Sequence, residues 1–124
     1  MAIAAPAEQT WESALDQLAE QGIAVRTVER ESGFIATETL ALPLFSTDPV
    51  RWANCGAFIT FPYAPTVVNY TIFVRGDSTA SSVRTSARYR LHKAVGELPT
   101  DCVSTGAFEQ SFNASTKQRA ELTR

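Results

Sequence analysis

The chain has 124 residues, 44% hydrophobic and 19% charged, with a formal net charge of -2 and a pI near 5.4. That length is enough for one core and short for two, and the composition fits a globular class rather than a disordered or membrane-spanning one. The charge balance gives no general attraction to nucleic acid or anionic lipid.

One domain spanning residues 1–124 is expected, with residues 1–9 as a flexible arm. The opening MAIAAPAEQ lacks the basic start and continuous apolar middle of a signal peptide, and no cysteine near it can accept a lipid. Either a cytoplasmic protein or one whose targeting segment has been removed is expected. Thr10 reads as a helix cap, followed by Trp11, Ala14, Leu15 and Leu18 at helical spacing, with Glu12 in the first turn and Gly22 as the left-handed stop. IAVRTVER and FIATETLAL then read as two strands joined by the turn Glu31, Ser32, Gly33.

From 43 to 65 the composition shifts to proline, glycine and aromatics, which predicts a long connection or an irregular edge strand near residues 57 to 61. Its prolines also break the apolar runs well short of the roughly 20 residues a spanning helix needs. Beyond it comes the clearest period-two signal, with Val68, Tyr70, Ile72 and Val74 pointing one way and Asn69, Thr71 and Arg75 the other. GDSTAS turns the chain. In the returning strand Val83, Ala87, Tyr89 and Leu91 alternate with Arg84, Ser86, Arg88, Arg90 and His92, predicting a hairpin with one apolar and one basic face. Phe108 and Phe112, one helical turn apart, with Lys117 and Arg119 toward the end, predict a second helix. Antiparallel hairpins between terminal helices imply an α+β layer fold, one mostly antiparallel sheet of four to five strands with two helices packed on one face.

Cys55 and Cys102 are the two cysteines, each beside turn-forming residues and outside the strands read above. An even count at long separation fits a disulfide, and hence an oxidising compartment, better than a CxxC redox or zinc site. Two inert thiols, or Cys102 as a nucleophile with His92 as its base, are the alternatives. No spacing sets His92 against Cys102, and two cysteines with one histidine lack zinc-ligand spacing. Phosphate, dinucleotide and zinc-protease motifs do not occur, so neither enzyme activity nor a cofactor is expected.

The stripe Arg84, Arg88, Arg90, His92 and Lys93, with Arg26 and Arg30 on the first hairpin, is the candidate binding face. Its other reading is a solvated sheet surface. Nucleic acid is not an expected partner, because no aromatics interleave with the arginines for base stacking. Trp52, Phe58, Phe61 and Tyr63 either line a ligand groove or complete the core under the long segment. The glycosylation sequons at Asn69 and Asn113 are short enough to arise by chance.

An amphipathic helix running into GIAVRTVERESGFIATE, with a late CVSTGAFE, resembles small bacterial envelope lipoprotein domains. The layout is similar to the helix-grip domains of the BamC-type accessory lipoprotein of the outer-membrane assembly machinery. Glu31, Ser32, Gly33, Cys102, Ser104, Thr105, Gly106 and Glu109 carry the likeness. The resemblance implies a periplasmic or outer-membrane-associated domain that binds a protein or an envelope component, held to a membrane only through an anchor absent from this chain. It also implies that Ser104, Thr105 and Gly106 begin the last helix and that Cys102 is half of a staple. The alternative function is a carrier for a small apolar ligand in a cavity between helices and sheet.

Overall fold

The computed structural model describes residues 1–41, 53–54, 66–91 and 100–122. Its centre is the long hairpin of β6 (Thr66–Gly76) and β7 (Ser81–Leu91), paired without a break from Thr66↔Leu91 to Gly76↔Ser81. Asp77 fixes the turn. Its Oδ1 accepts from the Thr79 and Ala80 N–H groups at 2.8 and 3.0 Å and from the Thr79 hydroxyl at 2.8 Å. These three donors hold the Asp77 carboxyl down at about 2.

The sheet grows outward from this hairpin. On one side β6 pairs with β3 (Phe34–Thr37) and β4 (Leu40–Ala41), and β3 pairs with the edge strand β2 (Val25–Glu29). Between β3 and β4 the pairing on β6 slips by one residue. There the Thr37 hydroxyl accepts the Tyr70 N–H at 3.0 Å, so a side chain takes over from the ladder. On the other side β7 pairs with β1 (Ala2–Ile3) at its start and β8 (Thr100–Ser104) at its end. The two-residue β5 (Ala53–Asn54) extends the sheet from β8. All these pairings are antiparallel. Among the described residues the sheet therefore has seven strands, with β5 an eighth extending it from β8, where four to five were expected.

Two helices cover one face. α1 spans Ala7–Glu20 and α2 spans Ala107–Leu122. Trp11, Ala14 and Leu18 of α1 and Phe108, Phe112 and Ala120 of α2 share one core with Ile35, Val68, Tyr70, Ile72, Val74, Val83 and Tyr89. The alternation expected along both long strands is present. The helices are tied to each other by Arg119, which bonds Glu20 and Gln17.

Three expectations are corrected. α1 begins one turn before Thr10, because Pro6 sets an extended start and the Asp77 carbonyl takes the Ala7 N–H at 2.8 Å. Thr10 is instead buried against the Ser81 hydroxyl at 2.6 Å. Residues 1–9, expected as an arm, form β1 and the first part of α1, with Ile3 and Ala5 in the core. Cys102, expected outside the strands, lies within β8 opposite Tyr89. Other local signals stand. Gly22 (φ 72) ends α1 with its N–H on the Ala19 carbonyl and the Ile23 N–H on that of Leu18. At the start of α2 the Ser104 and Thr105 hydroxyls accept the N–H groups of Gly106 and Ala107. The irregular strand expected near residues 57 to 61 lies outside the described residues.

Candidate functional site

The sheet face opposite the helices is crossed by rows of side chains that the strand register sets in line. One row runs Glu29, Phe34, Phe73, Arg84 across β2, β3, β6 and β7. The next, one pleat along, is Thr27, Ala36, Thr71, Ser86, all small. Beyond it come Asn69 with Arg88, and then Val67, Arg90 and Asp101. Arg75 stands beside Ser82 at the other end.

The arginines are held in different ways. Arg84 places its guanidinium 5.2 Å from the centre of the Phe73 ring, which in turn packs on Phe34 with ring centres 5.4 Å apart. A cation over an aromatic face keeps its charge outward while its stem is supported. Arg90 donates to Asn69 Oδ1 at 2.9 Å, and Asn69 donates onward to Thr39 Oγ1 at 2.9 Å, so β7, β6 and the link between β3 and β4 orient one guanidinium. Arg88 lies 3.5 Å from Asp101, with side-chain exposures of 68% and 66%. A pair this open is worth at most about 1 kcal/mol, so Arg88 exchanges partners at little cost.

Of the sequence candidates, Arg84, Arg88 and Arg90 are thus brought together on one face. Arg30 is not with them, because it bonds Glu8 of α1 and so lies toward the helix layer. Arg26 is exposed at the bulge between Val25 and Thr27. His92, Lys93, Trp52, Phe58, Phe61 and Tyr63 lie outside the described residues. Arg75, Phe34, Phe73, Asn69 and Asp101 are additions to the site. Period-two spacing already put Arg75 and Asn69 on this face, whereas the neighbours Phe34 and Phe73 depend on a pairing register that no local pattern announces.

Cys102 is disulfide-bonded, and Cys55 is the one other cysteine in the sequence. A thiol tied up this way has no thiolate to offer as a nucleophile.

The covered face holds the other polar cluster. Tyr70 stacks on Phe108 with ring centres 3.8 Å apart, Phe108 stacks on Phe112, and Tyr89 meets Tyr70 edge-on. Burial is the main cause pushing both tyrosine hydroxyls up, that of Tyr89 far above its ordinary value, and the nearby Glu109 adds to it. The polar contact between the two phenols lacks the geometry of a formed hydrogen bond. Hydroxyls so reluctant to ionise are poor acid-base groups near neutral pH. Glu109 meanwhile accepts the Ser104 hydroxyl at 2.5 Å, and Asn113 accepts that of Thr85 at 2.6 Å. This cluster fastens α2 to the sheet.

Among the described residues no three His, Cys, Asp or Glu side chains gather as a metal site, and no helix is long and apolar enough to cross a membrane. No protein-family model matches the chain, and no curated protein matches it by sequence.

Proposed function

We propose that the chain is a non-enzymatic binding domain of an oxidising compartment, the bacterial periplasm or the outer-membrane surface. It holds a protein or another envelope component on the open face of its sheet. The observation that carries this reading is the contrast between the two faces. One is filled by two helices, and the other presents Arg75, Arg84, Arg88 and Arg90 around an aromatic pair with no described element above it. On this reading the helices grip the covered face as in helix-grip domains and leave the opposite face for the partner. The disulfide at Cys102 supports the compartment, since such bonds persist where thiols are not kept reduced.

The test is retention of fractionated envelope protein, peptidoglycan and lipopolysaccharide by the immobilised protein and by its R84E/R88E variant. At least one component is retained by the wild type and lost with the variant. Equal retention by both, or turnover of any of these components by the wild type, contradicts the proposal.

A further inference from the structure

We infer that the occupant of the open face is an acidic protein segment in extended conformation, lying along β7 with carboxylates opposite Arg84, Arg88 and Arg90. This rests on the binding-domain reading above and names the chemistry of its partner. The argument begins with spacing. Alternate side chains on a strand recur about every 6.8 Å, so Arg88 and Arg90 are one repeat apart and Arg84 and Arg88 two. A second extended chain carries its own side chains at that same period. Strands packed face to face keep their directions within about 30°, so the match survives over so short a span. A lipid surface or a folded polyanion has no such period.

The position between Arg84 and Arg88 belongs to Ser86, in the row of small residues Thr27, Ala36, Thr71 and Ser86. That row lies one pleat along from Phe34 and Phe73, with Ala36 only 4% exposed and Ser86 exposed. The short Ser86 side chain between two arginines is where an apolar side chain of the segment fits. The expected order along the segment is therefore acid, apolar, acid, acid at alternate positions.

Charge gives the second argument. Among the described residues four arginines face this side, against Asp101 and, at the far edge on β2, Glu29. On the helix layer Glu8, Glu12, Asp16 and Glu20 recur every fourth residue along α1 and are all exposed. Glu8 and Glu20 are paired with Arg30 and Arg119, so α1 adds negative charge chiefly through Glu12 and Asp16, while the sheet face is basic among the described residues. Such a field turns an anionic partner away from the helices and toward β7.

Fluorescence anisotropy of labelled peptides with the whole protein tests this. One peptide carries glutamates at its first, fifth and seventh positions and leucine at its third. The other has the same composition with the glutamates contiguous. The spaced peptide is expected to bind about tenfold more tightly, and R84Q/R88Q to weaken it about tenfold, as two exposed ion pairs would. K117Q, on α2 in the helix layer, leaves it unchanged. Equal affinity for the two peptides overturns the inference. So does binding to phosphatidylglycerol vesicles without peptide discrimination, or self-association of the protein that R84Q/R88Q abolishes. If envelope retention depends on these arginines while the peptides are not distinguished, only the extended-segment inference falls, and the binding-domain reading stands.

Discussion

Tyr89 is fully buried beneath α2, and its hydroxyl has no formed hydrogen bond. A buried polar atom without a partner gives folding nothing in return for its lost hydration. Y89F is therefore expected to change stability by less than about 1 kcal/mol, or to raise it. Leu18→Ala, which empties a fully buried site, should cost about 2 to 5 kcal/mol. Urea denaturation measures both, and a large loss in Y89F would show that the hydroxyl has a partner after all. Alkaline pH gives a second reading of the same cluster. Because folding raises the tyrosine pKa values, the native state holds protons that the unfolded chain releases. The stabilisation is complete below the ordinary tyrosine value of about 10 and is lost as pH rises above it. Stability measured across that range should fall, and Y70F should reduce the slope; an unchanged slope would place Tyr70 in solvent. At this scale the sequence was legible where alternation decides the facing, as for Arg84, Arg88 and Arg90 against Tyr89. It misled at Thr10, whose hydroxyl suits a helix cap but is used against Ser81. A choice between two hydrogen-bond partners that far apart leaves no local trace.

The elements differ in how plainly they were written. α1, α2 and the β6–β7 hairpin carry long periodic signals, and the structure has them. β1 and β5 are two residues each, too short for any period, and they exist because neighbouring strands offer open edges; β4 lies inside the strand read over FIATETLAL, which the structure breaks at residues 38–39. The one-residue slip between β3 and β4 was equally hidden, since it depends on Thr37 meeting the Tyr70 N–H. The turn ending at Gly33 was readable, but its reason is tertiary. Gly33 has φ 69, and a Cβ there would meet the Val74 carbonyl oxygen at 1.9 Å. The backbones of β3 and β6 approach so closely that the Gly33 carbonyl accepts the Val74 N–H at 2.8 Å. Gly33→Ala should cost about 2 kcal/mol or more through clash and strain. A denaturation midpoint like that of the wild type would mean that the two strands can separate there without loss.

For the whole molecule, the two faces of one sheet differ in what covers them. The helices make one face into a core, and on the proposed reading the arginine face is the one that binds. The disulfide at Cys102 adds a link from β8 toward the segment that holds Cys55. On the chain-entropy account it contributes about 4 kcal/mol. Reduction should lower the thermal midpoint accordingly, and C55S/C102S should be insensitive to reductant; a wild type indifferent to reductant would remove the bond from the stability of the fold. The facing of the arginines could be read before the structure was known, but the rows running across four strands could not, because register belongs to the assembled sheet. The claim that this face is the working surface is tested most directly by site-specific photo-crosslinking in bacterial envelope extract. A photoreactive residue is placed at Ser86 on the open face or at Asp16 on the exposed side of α1. Adducts to an envelope component are expected from position 86 and not from position 16. Adducts from position 16 alone, or equally from both, would contradict the account.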